Sequence, residues 1–366
     1  LMTIHKNHIL SKTNSLIATI GPSCDTIPKL LELKKAGVDI FRVNMSHSTI
    51  EDLRKYAKIG FENNIRIGLD TEGSQIRTNL KGLKNLKIKK GQEFKIYNDF
   101  SISKKPSGIA LYPEGTISNL DIGCKIRLDF NGATVLVVKK NKDYLDCECL
   151  SEGEIGNNKG VDILNKKIAL PDFTKKDLES FKELEKLGIK DVFISFCKSK
   201  DAVLKLKTFS ENINVISKIE CKESIHNLHS ICEASDAILI DRGDLTREIN
   251  IMDIPFAQRG IVKVANFYEK PCYIATNIFE SLINGNLPTR AELNDVVGTL
   301  EMGAAGLVLA AETAIGEKPL LCVEIIKELI HRYKLYRDQL LFIDIERDEI
   351  TDEGMKLWLN RNNNKS

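Results

Sequence analysis

Five apolar runs in this chain end in groups that can do chemistry. Residues 38–43 carry or lead into Arg42, Asn44, Ser46 and His47, and residues 65–69 lead into Asp70, Thr71 and Arg77. Residues 214–219 bring Lys218 and Glu220, residues 237–240 bring Asp241 and Asp244, and residues 271–276 end on Thr276. Glu220 and Asp244 are hard carboxylates at neighbouring run ends. Such a pair suits Mg²⁺ or Mn²⁺, which takes a few protein oxygens and completes its shell with water and substrate oxygens. Lys218 lies two positions before Glu220, and the period of two in a strand puts both on one face. An ammonium beside a dication is favourable when an anion lies between them, so the trio predicts a phosphate, carboxylate or enolate ligand. The alternative is a set of satisfied ion pairs capping a core. Convergence of so many groups on one rim favours a site.

What must hold these groups is a parallel sheet. From Ser15 to Gly68 the pattern alternates strand (16–20), helix (27–35, stopped by Gly37), strand (38–43), helix (51–61) and strand (65–69). It resumes after Pro171 with a helix expected from the capping pair Thr174 and Asp177 through to Gly188. Strands follow at 191–196, 214–219, 237–240 with Asp241, 271–276 and 306–310, the last before an apolar helix around 322–330. Eight alternating units predict an α/β fold, a closed (β/α)8 TIM barrel, and polar groups at the carboxyl ends of its strands are placed for chemistry. Between Arg77 and Leu170 the period shortens to strands at 86–88, 93–96, 125–128, 134–138 and 144–149, which reads as a small all-β domain inserted after strand three. The expected division is a catalytic barrel from 1–78 and 170–332, an inserted β-barrel domain at 79–169 placed to act as a lid, and a helical tail at 333–366.

Composition narrows the function classes. With 366 residues, 42% hydrophobic and 28% charged, the chain can bury a large core. A net charge of +2 lacks the broad positive field of a nucleic-acid binder. No apolar run approaches the roughly 18 to 20 residues that span a bilayer, and the first residues do not lead into a secretory signal. Nine scattered cysteines, mostly within apolar stretches, fit buried reduced thiols and hence a cytoplasmic protein. Cys147 and Cys149 share a strand face but have no second Cys/His pair at zinc spacing.

The ordered blocks Ala18-Thr19-Ile20-Gly21-Pro22-Ser23, Phe41-Arg42-Val43-Asn44-Met45-Ser46-His47, Leu69-Asp70-Thr71, Ser217-Lys218-Ile219-Glu220, Arg242-Gly243-Asp244-Leu245, Pro288-Thr289-Arg290-Ala291-Glu292 and Glu312-Thr313-Ala314 resemble pyruvate kinase over roughly residues 15 to 330. The resemblance implies transfer of the phosphoryl group of phosphoenolpyruvate to ADP, giving pyruvate and ATP. It implies that Glu220 and Asp244 hold Mg²⁺, and that Lys218 and Arg42 neutralise charge on the phosphoryl group and the enolate. The amides around Gly243 and Asp244 would bind the substrate carboxylate, and Thr276 would stand near the methylene carbon that is protonated. Asn44, Ser46, Asp70 and the Thr71 carbonyl match the family's K⁺ site, and His47, Arg77 and Lys159 match positions facing nucleotide phosphates. The family is usually tetrameric, and a homodimer through the barrel is the assembly that would survive loss of a C-terminal domain.

Several positions depart from the family pattern. Gln75 stands where potassium-dependent members carry glutamate and potassium-independent ones lysine, so the K⁺ requirement does not carry over. Glu72, Ser74, Asn79, Lys198 and Asn277 also differ. Asp241 replaces a common alanine and Thr246 a common glycine, both flanking the amides assigned to the carboxylate. The added carboxylate would either repel an anion or pair with Arg242. The lid's acidic pair is broken, reading Asp129-Phe130-Asn131-Gly132. The sequence stops where the family's C-terminal regulatory domain would begin, so activation of the usual sugar-phosphate kind is expected to be absent. Two other functions fit the same barrel: metal-dependent carbon–carbon chemistry through a pyruvate enolate, and non-catalytic binding of phosphoenolpyruvate.

Overall fold

The computed structural model describes residues 14–99, 108–129, 132–166, 168 and 170–340. Contacts divide the chain into two compact units, one built from the segment ending at Thr71 and the segment from Leu178 onward, the other from Glu72–Asp177.

The first unit is a closed barrel of eight parallel strands. These are β1 (Ser15–Thr19), β2 (Ile40–Asn44), β3 (Ile67–Asp70), β4 (Asp191–Ile194), β5 (Asn214–Ile219), β6 (Ala237–Asp241), β7 (Cys272–Ala275) and β8 (Gly306–Leu309). Neighbours in sequence are neighbours in space, and β1 pairs with both β2 and β8. The interior is packed by Ile17, Ile40, Phe193, Ile216, Leu239, Tyr273 and Val308, none more than 2% exposed. Gly68 makes room for this packing, since a Cβ there would lie 2.8 Å from the Phe193 ring. The strands are β-branched and apolar because both faces are covered.

Helices separate the strands and are stopped by local chemistry. Ile27–Ala36 ends on Gly37 at φ 117, a conformation that glycine adopts without strain. Ile50–Glu62 starts with a full capping box between Thr49 and Asp52. The helix expected to run from Thr174 to Gly188 is two pieces, Lys175–Phe181 and Leu184–Leu187. It breaks where the Glu183 amide turns tightly to the Ser180 carbonyl at 3.1 Å. The last described helix is Pro319–Leu340. Of the tail expected at 333–366, the part beyond Leu340 lies outside the described residues. Among the described residues no helix is long and apolar enough to cross a membrane.

The second unit is a seven-stranded sheet with a two-stranded ribbon. It opens at Glu72 rather than near 79, because Arg77–Asn79 is already a strand paired with Gly108–Tyr112. It closes at Asp177, whose carboxylate accepts the amides of Glu72 at 2.8 Å, Gly73 at 3.2 Å and Thr174 at 3.0 Å. The two edges of the seven-stranded sheet meet at the Arg77–Gly160 bridge, flanked by 2.8 Å backbone bonds from the Thr78 amide to Lys159, the Asn158 amide to Thr78 and the Val161 amide to Ile76. Its core includes Phe94, Ile96, Ile109, Leu111, Val135 and Cys147. All nine cysteines are buried and outside any disulfide, Cys147 and Cys149 among them.

Candidate active site

The carboxyl ends of β2 to β7 place the polar groups. Arg42 lies inside β2 and is only 3% exposed. Its Nε and Nη2 donate to the Thr19 hydroxyl at 3.1 and 2.8 Å, and its Nη1 stands 3.2 Å from Asp70 at the end of β3. Lys218, in β5, reaches Asp70 at 3.2 Å, Glu220 at 2.8 Å and the Ser195 hydroxyl at 3.1 Å. Glu220 is fully buried, and its Oε2 accepts the Phe196 amide at 2.6 Å. Phe196 has φ 51, so the chain after β4 is bent into a left-handed turn that aims this amide inward.

Burial and charge act on these groups together. Burial pulls the Lys218 ammonium down, but Asp70 and Glu220 outweigh it and hold its pKa above the ordinary lysine range. Glu220 moves the same way for a different reason. Burial raises its pKa, and the negative charges of Asp244 and Asp241 add to this, more than the one ammonium beside it lowers it. Burial would raise Asp241 too, yet Lys218, the Thr276 hydroxyl, Arg42 and the Asp244 amide keep its carboxyl below the usual range. The cluster therefore has more carboxylates than cations to neutralise them.

Asp241 does not pair with Arg242, which was one of its two expected behaviours. Arg242 turns to Asp295 at 2.6 Å and to the carbonyls of Thr276 at 2.8 Å and Asn277 at 3.2 Å. Asp241 instead caps the helix Arg242–Glu248, where its Oδ1 accepts the amides of Gly243 at 3.2 Å and Asp244 at 3.4 Å. The same oxygen accepts the Thr276 hydroxyl at 2.5 Å. Thr276 and Asn277 have φ 74 and 54, a costly conformation for a β-branched residue in particular, and Arg242 and Asp241 supply the hydrogen bonds that hold it. Gly243 packs against this turn so closely that a Cβ would lie 2.7 Å from Thr276 Cγ2. Thr246 is directed away from the amides, donating to the Gly243 carbonyl at 2.6 Å.

The donor set fits a divalent ion. One carboxylate oxygen each from Glu220, Asp241 and Asp244 lie within 4.8 Å of one another, and Asp244 also pairs with Arg247 at 3.2 Å. The residues assigned to K⁺ gather at the ends of β2 and β3 with other duties. Asn44 accepts the Ser46 amide at 2.9 Å, Asp70 serves Arg42 and Lys218, and the Thr71 carbonyl accepts the Ser195 hydroxyl at 2.7 Å. His47 closes a turn on Asn44 at 3.1 Å. Arg77 and Lys159 belong to the second unit, where Arg77 donates to the Asn158 carbonyl at 3.3 Å and the Lys159 amide to Thr78 at 2.9 Å. Gln75 lies in that unit as well, its amide turned to Gly73. Phe130 and Asn131 of the broken acidic pair lie outside the described residues. Ser195, Thr19 and the place of Asp241 in the carboxylate cluster were not among the sequence expectations.

Fold and rim together define a (β/α)8 barrel with a buried ionic cluster at the carboxyl ends of its strands and a β domain inserted after strand three. The family model "Pyruvate kinase, barrel domain" matches residues 11–323, and the chain belongs to that family. It is 32% identical over 320 residues to plastidial pyruvate kinase 2 of Arabidopsis thaliana, covering 84% of this chain and 55% of that protein. It is 30% identical over 334 residues to a pyruvate kinase of Lactobacillus delbrueckii subsp. bulgaricus, covering 87% and 56%. The crystal structure of Cryptosporidium parvum pyruvate kinase superimposes with a TM-score of 0.82 at 29% identity, covering 91% of this chain and 73% of that one. The chain thus spans little more than half the length of these two curated relatives.

Proposed function

We propose that this chain transfers the phosphoryl group of phosphoenolpyruvate to ADP, giving pyruvate and ATP. The observation that carries the reading is the Lys218 ammonium held 2.8 Å from Glu220 and 3.2 Å from Asp70, with Arg42 beside it, on the rim where the carboxylates converge. Phosphoryl transfer asks a protein mainly for positioning and charge stabilisation, and a rigid buried array supplies both. Glu220 and Asp244 would hold Mg²⁺ or Mn²⁺, which when bound stabilises negative charge as a Lewis acid. Lys218 and Arg42 neutralise the oxygens of the transferring group and of the enolate left behind. Arg42 Nη1 is buried without a hydrogen-bond partner and faces Asp70 only as an ion pair, so it has a donor to offer a ligand oxygen. The Thr276 hydroxyl donates its hydrogen bond to Asp241, which leaves its oxygen lone pairs as acceptors. It can therefore orient a water that protonates the methylene carbon, where a bare threonine is too weak an acid. His47, Arg77 and Lys159 are assigned to ADP, and their replacement would raise the KM for ADP before that for phosphoenolpyruvate.

The test is an incubation with phosphoenolpyruvate, ADP and Mg²⁺, with and without K⁺, following pyruvate and ATP together. Equal amounts of both products are expected, falling by about a thousandfold or more in Lys218→Met and Glu220→Ala. Binding of phosphoenolpyruvate without turnover would overturn the reading in favour of a binding protein. Consumption of pyruvate that depends on an added aldehyde would favour carbon–carbon chemistry. K⁺ stimulation tests Asn44, Ser46, Asp70 and Thr71, and light scattering tests the homodimer. Exposed Ile251, Met252 and Phe256 support such a homodimer, and nine buried cysteines outside any disulfide support a cytoplasmic setting.

A further inference from the structure

With every carboxylate ionised, the described rim is one cation short. Arg247 neutralises Asp244 at 3.2 Å, which leaves Asp70, Glu220 and Asp241 to Lys218 and Arg42. Arg242, next in sequence to Asp241, gives its charge to Asp295 and takes no part in the balance. Adding a dication turns this deficit of one into an excess of one, the sign an anionic substrate requires. The geometry allows it: one oxygen each of Glu220, Asp241 and Asp244 lie within 4.8 Å of one another, and the fully buried Glu220 Oε1 has no hydrogen-bond partner, only the facing ammonium. Asp241 is already fixed for the task. The amides of Gly243 and Asp244 and the Thr276 hydroxyl all bond to its Oδ1, which leaves Oδ2 for a ligand.

We propose that Asp241 is a third carboxylate ligand of the divalent ion, so that this chain binds the ion before any substrate arrives. The inference rests on the metal-dependent reading above. A site with two carboxylates leans on substrate oxygens to retain Mg²⁺, whereas a third anionic oxygen from the protein strengthens its grip on the bare ion. Asp241 then does two things with one side chain: Oδ1 orients Thr276 and Oδ2 completes the cation site.

The full chain is titrated with Mn²⁺ in the absence of substrate and nucleotide, and the free ion is followed by its electron paramagnetic resonance signal. One site per chain is expected. Asp241→Asn and Asp241→Ser both keep an oxygen able to cap the helix, and both are expected to weaken Mn²⁺ tenfold or more with little change in the melting temperature measured in EDTA. Glu220→Gln sets the level of a lost site. If both Asp241 variants bind Mn²⁺ as tightly as the wild type while Glu220→Gln does not, the third ligand is overturned and the phosphotransfer reading stands. Uptake by the wild type only after phosphoenolpyruvate is added has the same meaning, and the wild-type arm needs no variant to fold. No uptake in either condition overturns both readings.

Discussion

At the amino ends of β3, β4 and β5, Arg66 makes two 2.5 Å bonds to Asp191, and Asn214 adds a third at 3.1 Å. One cation meets one anion in a two-pronged pair, and Asp191 is fully buried. At the carboxyl ends of the same strands, Asp70, Ser195, Lys218 and Glu220 form a network in which one ammonium is shared by two carboxylates. Two further carboxylates, Asp241 and Asp244, crowd it from β6 and the helix that follows. The amino end is neutral, one guanidinium against one carboxylate, with Arg66 Nη1 a buried donor left over. The carboxyl end has one more carboxylate than it has cations, an excess that a bound cation can relieve. A buried imbalance costs stability, and it persists where it serves a purpose other than holding the fold.

The largest effect that separates the two ends is loss of the amino-end anion. Asp191→Ala leaves the Arg66 guanidinium largely buried without its partner, since Arg66 is only 21% exposed. Unfolding stability should drop by about 3 kcal/mol, while activity per folded molecule stays near that of the wild type. Replacing both partners with apolar residues, as in Arg66→Met with Asp191→Leu, should recover most of the loss, because the pair repays little beyond its own desolvation. Denaturant melts monitored by circular dichroism measure both. A single variant that abolished activity without unfolding would show that the amino end takes part in the chemistry.

The carboxyl end is tested by pH. The Glu220 pKa is raised by burial and by Asp244 and Asp241, so the folded chain keeps a proton there that the unfolded chain has released. Between the ordinary glutamate pKa and the raised one, the folded state binds more protons, and stability must fall as pH rises. The slope from this one group cannot exceed about 1.4 kcal/mol per pH unit. Asp241, whose pKa is lowered, acts in the opposite direction only at more acidic pH, below the ordinary aspartate value. Melts of the metal-free protein between pH 5 and 8 should therefore show a decline that Glu220→Gln removes and saturating Mn²⁺ flattens. A wild-type profile that runs parallel to Glu220→Gln would mean that Glu220 is fully ionised within its ion pair.

What sequence can reveal divides along the same line. The eight-unit rhythm is legible because each barrel strand is buried on both faces and each helix is closed by a local signal such as Gly37 or the Thr49–Asp52 box. Lys218 and Glu220 can be paired from their spacing alone. Ser195 cannot, because its partners Asp70 and Lys218 come from other strands and nothing in Ile194-Ser195-Phe196 points to them. Asp241 is visible as an odd carboxylate, but its use depends on Thr276, 35 positions away, in a backbone turn that threonine seldom adopts. In the inserted unit, Gly108–Tyr112 escapes notice because it runs parallel to Glu93–Tyr97 and follows a lysine- and proline-containing stretch rather than a hairpin turn.

The smallest expected effect concerns how that turn is held. Arg242 joins the half-exposed Asp295 to the carbonyls of Thr276 and Asn277, both left-handed. An ion pair with a solvent-facing partner is worth at most about 1 kcal/mol, so Asp295→Asn should lower kcat by roughly fivefold or less and leave KM for phosphoenolpyruvate unchanged. Arg242→Ala removes the bonds to the two carbonyls themselves and should lower kcat by more than that, since the strained backbone loses what offsets its cost. Arg242→Lys should not rescue it, because one ammonium cannot reproduce a planar fork that reaches a carboxylate and two carbonyls at once. If Arg242→Ala behaves like Asp295→Asn, the turn is held by Asp241 and the close packing of Gly243 alone, and the rigidity of the carboxyl end resides in its carboxylates rather than in its arginines.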